Sequence, residues 1–327
     1  MPTSDDKTSP LAARLSALPE GFQHFTDIYD RELQPVLVEK ERDRQAAIAE
    51  AKKFGIIGVV VAVLMALGAV FLLKAPMAIF FALIVGAGFI YFGVSKVQTV
   101  MGHAKQAMIP PVAAQFGLTY NEAVSDVAEA NLLACKTHKV VPSWDRKSLQ
   151  DEFIGSRNGI PFEFFEAHLE ERRTTTDSKG RTRTSWVTVF RGQCWVIDAP
   201  KRFHGTTRVA RDAGIFNALG GLGSKFTRAV LESPDFEKIF EVYTTDQVEA
   251  RFLLTPDVMQ AFINLETTFK GSKFRATFDG NRIYAALEGG NMFEPGSMFK
   301  SLDDSERVAD LLDDIATVFH LVDVLGK

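Results

Sequence analysis

The residues with the clearest capacity to bind a ligand are five cations within one long polar hairpin loop, Arg172–Arg183. They are Arg172, Arg173, Lys179, Arg181 and Arg183. Near an anionic membrane surface each cation of this kind contributes about 1 kcal/mol, and the Ser and Thr residues between them suit phosphate groups on a partner. We therefore predict that this polar hairpin loop binds anionic lipid headgroups or a protein partner. The alternative is a solvated hairpin tip that binds nothing specific.

A second group with chemical capacity is His168, which lies between Glu166 and Glu170. Phe165 and Ala167 alternate with these residues, which predicts a half-buried strand with the three polar side chains on one face. An imidazole beside carboxylates can bind a metal or act as a base, whereas a solvated polar face is the simpler interpretation. A concave pocket that gathers these groups would favour an enzyme.

The remaining motifs that could do chemistry are incomplete. Cys135 and His138 offer two metal ligands where a structural zinc needs four, and Cys194 lies in an apolar run typical of the core. Gly220–Lys225 is superficially similar to a phosphate-binding loop, but its Ser-Lys-Phe order does not fit that motif. The sequence therefore predicts no metal, no cofactor and no assigned catalytic residue.

Two uncharged apolar runs precede the part of the chain that carries these polar residues, and they determine where it is anchored. Phe54–Leu73 and Met77–Val94 contain 20 and 18 residues and are joined only by Lys74–Pro76. As helices they reach roughly the 30 Å thickness of a hydrocarbon core, with Pro76 in the first turn of the second helix. We predict a transmembrane α-helical hairpin in the lipid bilayer; a buried hairpin of a soluble protein is the alternative.

The distribution of cations predicts the orientation of this hairpin. Lysines and arginines flank both outer ends of the two runs, whereas Lys74 is the single cation between them. The flanking cations are Lys40, Arg42, Arg44, Lys52, Lys53, Lys96 and Lys105. By the positive-inside rule, both termini of this multi-pass protein lie in the cytoplasm, and the charged residues ahead of the first run exclude a cleaved signal.

The chain is predicted to have five parts. Residues 1–20 form a disordered arm, 21–53 a juxtamembrane helix, 54–94 the membrane hairpin, 95–148 a stalk and linker, and 149–327 a cytoplasmic α+β domain. Pro110 and Pro111 are expected to end the stalk helix.

The last part combines strand and helix patterns. A strand over 186–197 is predicted to carry a bulge at Gly192, and Asp279-Gly280 indicates a tight turn between two strands. Asp246–Glu249 has the pattern of a capping box, and 302–325 that of an amphipathic helix. We predict a mainly antiparallel sheet covered by this C-terminal helix.

The small residues of the first apolar run and the overall charge indicate which partners the chain could bind. Gly58, Ala62 and Ala66 recur every four residues, so this face packs either against the second span or against another copy in a homo-oligomer. Lys and Arg total 37 against 41 for Asp and Glu, which argues against a nucleic-acid footprint spread over the whole chain.

Five sequence blocks resemble one known family. The blocks are Asp151–Gly155, Val189–Gly192, Phe236–Tyr243, Asp246–Pro256 and Asp279–Tyr284. In this order, over roughly Leu149–Leu325, they are similar to a bacterial membrane-protein family catalogued as domain of unknown function 3137. The resemblance implies a protein of the bacterial inner (plasma) membrane, but the family has no established activity or catalytic residues to carry over.

These observations favour a membrane-anchored interaction or scaffold module that binds a protein partner or anionic lipid. The alternative is a membrane-tethered enzyme that acts on a lipid or phosphorylated substrate through His168, Glu166 and nearby arginines.

Overall fold

The structure is a computed structural model that describes residues 14–15, 22, 25–71, 74–75, 77, 79–176, 178–211, 225–268, 273–293 and 300–325. The predictions for Pro76 and Gly220–Ser224 lie outside these residues. The chain divides into two compact units, residues 1–112 with 294–313 and residues 113–293 with 314–327.

The helices and strands have the following bounds. The helices are α1 (Phe25–Ile28), continued by a π-helical turn (Tyr29–Leu33), α2 (Gln34–Phe71), α3 (Ile79–Gln115), α4 (Asp126–Thr137), α5 (Pro234–Glu237), α6 (Gln247–Leu253), α7 (Pro256–Thr268) and α8 (Ser305–Leu325). The strands are β1 (Thr119–Asn121), β2 (Arg146–Arg157), β3 (Ile160–Thr176), β4 (Thr182–Asp198), β5 (Thr207–Arg211), β6 (Thr227–Ala229), β7 (Phe240–Thr244), β8 (Phe274–Asp279) and β9 (Arg282–Glu288).

The first unit is built on the long helices α2 and α3, each of which is long and apolar enough to cross a membrane. Only 11% and 17% of their most apolar 18-residue windows is buried. A core helix of a soluble protein would bury most of such a window, so these two helices present apolar surface that the described residues do not cover.

Small residues bring α2 and α3 into close contact. A Cβ added to Gly58 would lie 2.9 Å from the carbonyl oxygen of Gly86, and one added to Gly86 would lie 2.9 Å from the Cβ of Ala62. Gly58 and Ala62 therefore pack against the second helix of the same chain. Homo-oligomerisation through Gly58, Ala62 and Ala66 stays a prediction.

Helix α3 continues where the sequence was expected to break it. Pro110 and Pro111 lie inside the helix, which ends only at Gln115. Each proline removes a backbone donor and disfavours a helix interior by about 3 kcal/mol. Their neighbours Ile109 and Val112 are completely buried, and burial of such apolar side chains offsets this cost.

Ion pairs fix the first unit outside the apolar runs. The Glu41 carboxylate accepts hydrogen bonds from Arg44 at 2.7 and 2.8 Å and from the backbone N–H of Leu302 at 2.8 Å. Of the arm predicted to be disordered, the structure describes Arg14 and Leu15: Arg14 pairs with Asp310 and Asp313, and Leu15 is buried.

The second unit contains a nine-stranded sheet in the order β1-β2-β3-β4-β9-β8-β5-β7-β6. Every described pairing is antiparallel, which confirms the predicted sheet type. One face of the sheet packs against α4 through a cluster that includes Leu132, Cys135 and Cys194. On the other face Phe162 contacts Phe319 of α8, and Phe164 contacts Trp195.

The range predicted to be stalk and linker contributes two elements, β1 and α4, to the second unit. Ser125 caps α4 by accepting a hydrogen bond from the N–H of Ala128. Glu152, fully buried on β2, accepts hydrogen bonds from the hydroxyl and N–H of Ser125 and from the side chain of Asn121. This buried carboxylate ties β1 and the start of α4 to the sheet.

Several family-like blocks have clear structural roles. Gly192 has φ +155°, and a Cβ there would clash with the carbonyl oxygen of Leu287 on β9. The bulge predicted at Gly192 instead lies nearer Val189, because the β3–β4 register shifts between Leu169 and Glu170. Gly280, at φ +62°, forms the predicted turn between β8 and β9.

The capping box predicted at α6 is half formed. Asp246 accepts hydrogen bonds from the N–H groups of Val248 and Glu249. The Glu249 carboxylate does not return to Asp246 but accepts the N–H groups of His204 and Gly205.

Candidate functional site

The candidate site lies on one face of β2, β3 and β4, where polar side chains form three rows across the strands. In the first row Gln150, Glu166 and Gln193 are neighbours, and in the second Ser148, His168 and Arg191. The third joins Arg146, Glu170 and Thr188. The alternation of β3 places Glu166, His168 and Glu170 on this face, as the sequence predicts.

A small polar cavity of about 80 Å³ opens between the first two rows. Its walls are formed by Ser148, Gln150, Glu166, Ala167, His168, Arg191 and Asn291. Since drug-sized ligands occupy pockets of roughly 300 Å³ or more, this cavity suits one small polar group or a few water molecules.

Glu166 forms the floor of the cavity and is only 2% exposed. Its carboxylate accepts hydrogen bonds from the N–H of Met292 at 2.6 Å and of Phe293 at 3.4 Å, and from the amide of Gln150 at 3.2 Å. Burial raises the pKa of Glu166, although these hydrogen bonds oppose the rise. The carboxyl group is thus a candidate proton donor or acceptor.

The burial of Glu166 corrects the prediction of a solvated polar face. Residues that follow β9, ending at Met292 and Phe293, cover this end of the strand, and Phe293 is itself 2% exposed. Farther along β3, Glu170 leaves the cavity and pairs with Arg146 at 2.6 Å.

His168 and Arg191 stand at the rim of the cavity. The Nε2 atom of His168 lies 2.9 Å from the Thr188 hydroxyl oxygen, and the Nε–H of Arg191 donates to the Asn291 side chain at 3.2 Å. A carboxyl group, an imidazole and a guanidinium therefore meet at one concave site, which could bind an anionic group or transfer a proton.

The five predicted binding cations lie at the far end of the same hairpin. Arg172 and Arg173 belong to β3, Arg183 belongs to β4, and Lys179 and Arg181 lie between the strands. The predicted long loop is therefore mostly strand, because paired Thr residues extend the ladder to Thr176 and Thr182. All five cations are exposed.

The strand register divides these cations between two faces. Arg172 pairs with Trp186 and shares the face of the cavity, whereas Arg173 and Arg183 project to the opposite face. Arg173 also forms an ion pair with Glu171 at 3.0 Å. The hairpin thus displays positive charge on both faces and at its tip.

Sequence reasoning missed the contribution of Arg146 to this surface. Its guanidinium lies 4.5 Å from the ring centre of Trp186 and also pairs with Glu170. Arg146 is distant in sequence from Trp186, and only the register of three strands brings them together. An exposed tryptophan in an otherwise polar stretch is the one local indication.

The other motifs do not form sites among the described residues. Cys135 and Cys194 are fully buried, which confirms the core role predicted for Cys194, and His138 stacks on Tyr284 with ring centres 4.0 Å apart. The described residues contain no group of three or more His, Cys, Asp or Glu side chains that could hold a metal ion.

Comparisons with known proteins give a family and one distant structure. Residues 188–327 match the family described as "Protein of unknown function (DUF3137)". No curated protein matches the chain. The crystal structure of the mycobacterial trehalose monomycolate transport factor A, TtfA, is 10% identical, with 69% of this chain and 96% of that chain covered and a TM-score of 0.33. A likeness at this score does not establish a shared fold.

The matched range contains four of the five blocks that carried the resemblance, and Asp151–Gly155 lies outside it. The resemblance to the family DUF3137, whose function is unknown, is therefore confirmed over residues 188–327.

Proposed function

We propose that this protein is a membrane-anchored interaction module of the bacterial inner membrane. Helices α2 and α3 cross the bilayer as a hairpin and both termini lie in the cytoplasm. The uncovered apolar surface of the two helices supports the span. The excess of cations at its outer ends supports the orientation. A reporter fused after Lys327 should be cytoplasmic, and an external reporter would contradict the orientation.

The module binds anionic groups, carried by lipid headgroups or by an acidic protein partner, at the β3–β4 hairpin. The observation that supports this proposal most directly is the two-stranded ribbon at the far end of the β3–β4 hairpin. Within the described residues, 171–176 of β3 pair with β4 alone, because β2 pairs no farther than Glu170 of β3 and β9 no farther than Gly192 of β4. This two-stranded ribbon is roughly 20 Å long and carries all five predicted cations.

A charge-neutralised variant tests the proposal. The five hairpin cations are replaced by Gln in the full chain, held in a zwitterionic nanodisc. The nanodiscs are titrated with phosphatidylglycerol vesicles and, separately, with polyglutamate. We expect at least tenfold weaker binding of one or both probes, because each cation contributes about 1 kcal/mol near an anionic surface. The two probes distinguish a lipid from a protein source of the anionic group.

A matched control separates the hairpin from general charge. It replaces five exposed cations elsewhere in the second unit, namely Lys201, Arg202, Lys225, Lys238 and Arg251. Equal loss of binding in both variants, or no loss in the hairpin variant, would contradict a site at the hairpin.

The polar cavity favours a second candidate function, a membrane-tethered enzyme acting on a lipid or phosphorylated substrate. It gathers Glu166, His168 and Arg191 into the concave arrangement that such an enzyme requires. Hydrolysis of generic phosphate monoesters and diesters by the purified protein, lost in Glu166→Gln and His168→Gln, would support this function. Hydrolysis that persists in both variants would contradict it.

A further inference from the structure

One face of α2 forms a groove that runs across the junction between its charged and apolar parts. Residues lining the groove recur every three or four positions, as neighbours on one helical face do. They include Gln45, Ile48, Ala49, Lys52, Ile56 and Val59. The groove consists of two concavities of about 690 and 440 Å³, both lined by Lys52. Each volume falls within the range of small-molecule sites.

The groove runs along the edge of the face by which α2 packs on α3, since Ala51 lines the upper concavity and also contacts α3. A Cβ added to Gly93 of α3 would lie 3.0 Å from the Cα of Ala51. About two turns further along α2, a Cβ added to Gly58 would lie 2.9 Å from the carbonyl oxygen of Gly86. Val94 and Val97 of α3 complete one wall of the upper concavity. The groove therefore stays open beside a close helix contact instead of being filled by it.

The chemistry of the groove changes at Lys52. On one side lie Arg44 and Gln45, which belong to the charged part of α2. On the other side the lining is uncharged and ends at Val60. Val60 lies eight positions after Lys52 along the helix, a distance of about 12 Å, close to half of the roughly 30 Å hydrocarbon core.

Lys52 has no carboxylate partner among the residues that the structure describes, and it is exposed. Lys40 and Lys96 differ from Lys52, since Lys40 pairs with Asp43 at 3.3 Å and Lys96 with Glu50 at 2.6 Å. Arg44 is bound to Glu41. Of Arg44 and Lys52, the two cations among the lining residues, Lys52 is thus the one without a carboxylate partner in the described part of the chain.

We infer that this groove binds a phospholipid with an anionic headgroup. The headgroup phosphate lies beside Lys52, and one acyl chain follows the apolar lining from Ile56 to Val60. Charge complementarity at Lys52 and the leaflet-like length of the apolar lining identify this occupant. The inference rests on the proposed membrane span, because only that span places Lys52 at headgroup depth.

A charge substitution tests the headgroup contact. The full chain in detergent is titrated with phosphatidylglycerol and with phosphatidylcholine, and bound lipid is counted by native mass spectrometry. Lys52→Gln should bind phosphatidylglycerol about fivefold more weakly, as expected for one cation near an anionic headgroup. Lys53→Gln is the matched control, since Lys53 is also exposed but is not among the residues that line the groove, and the lipid affinity of this variant should be unchanged.

A second pair of variants tests the groove itself. Ala49→Trp fills the upper concavity and should weaken the binding of both lipids at least tenfold. Ala46→Trp adds the same side chain outside the groove and should leave binding unchanged. Both alanines are exposed on the helix, so neither replacement disturbs a packed core.

The membranes from which the chain is purified, taken before detergent is added, distinguish failure of the groove from failure of the span. Retention of the wild-type chain in membranes after an alkaline carbonate wash supports the span. If the chain is retained but Lys52→Gln and Lys53→Gln bind lipid equally, the groove inference is overturned and the proposed span stands. Release by the wash overturns both, and a bound polypeptide in place of lipid overturns the groove inference.

Discussion

Glu41 in the first unit and Glu166 in the second are both buried, yet their environments differ. Glu41 is 5% exposed and Glu166 is 2% exposed. Hydrogen bonds from Arg44 lower the pKa of Glu41 from 4.5 to about 2, whereas burial among neutral donors raises the pKa of Glu166. Burial alone therefore does not decide the role of a carboxylate. The charge-paired glutamate fixes structure, whereas Glu166, which forms no ion pair with the residues that the structure describes, lines the cavity.

The largest expected effect comes from breaking the charged pair. Arg44→Met leaves the Glu41 carboxylate buried without its cation, which should cost about 3–5 kcal/mol. Hydrogen exchange near Leu302, whose N–H donates to Glu41, should accelerate by at least a hundredfold. The double variant Glu41→Leu with Arg44→Met should recover most of the protection. Equal exchange in all three proteins would show that the pair does not hold this segment.

The pH dependence of the same pair should be nearly as large. Because the pKa of Glu41 is lowered by folding, its stabilisation is complete above pH 4.5 and is lost as the pH falls towards 2. The expected loss is on the order of 3 kcal/mol. It can be measured as the free energy of unfolding in denaturant between pH 6 and pH 2. Glu41→Gln should flatten the dependence of the free energy of unfolding on pH over this range. An unchanged slope would mean that other carboxylates cause the loss of stability.

The cavity glutamate should respond with the opposite sign. Because folding raises the pKa of Glu166, its contribution is complete at low pH and is lost as the pH rises through the raised value. Glu166→Gln keeps an oxygen that can accept from Met292 and carries no charge, so it should change stability by about 1 kcal/mol and remove this alkaline loss. Unfolding at pH 5 and pH 8 measures both effects. Glu129→Gln, at an exposed side chain, is the matched control for the loss of one carboxylate.

An exposed ion pair gives the smallest effect and sets the scale. Arg173 and Glu171 form a 3.0 Å pair with side chains 56% and 47% exposed. Because water and salt screen such a pair, Arg173→Gln should change the free energy of unfolding by less than about 1 kcal/mol. A larger loss of the free energy of unfolding would mean that ion pairs contribute substantially to the stability of the hairpin.

Local patterns predicted much of the fold. Asp279-Gly280 and the antiparallel sheet followed from turn chemistry and period-two alternation, and α8 followed from helical spacing. The β2–β3 turn at Asn158 and Gly159, with φ values of +52° and +79°, was missed although Asn-Gly is a strong hairpin pattern. The path of α3 through Pro110 and Pro111 could not be predicted, because distant burial of its neighbours overrides the local preference.

The candidate site was predicted in part. Alternation on β3 placed Glu166 and His168 on one face. The segment that covers Glu166 was not predicted, because Met292, whose N–H donates to the Glu166 carboxylate, lies 126 residues further along the chain. The cations of the hairpin were found from composition, whereas their division between faces depends on cross-strand register. Contacts between residues so far apart leave no local pattern, so neither the cavity nor the partnership of Arg146 with Trp186 could be predicted.

The two edges of the nine-stranded sheet are built in a way that limits aggregation. Each ends in a strand of three residues, β1 and β6, and short outer strands offer little backbone for pairing with another molecule. Beside β1, the register of β2 is interrupted between Gln150 and Phe153. A fragment that starts at residue 149 would lose β1, α4 and the first three residues of β2, and would uncover unpaired backbone of β2 and the apolar face beneath α4. One that starts at residue 113 keeps this protective edge.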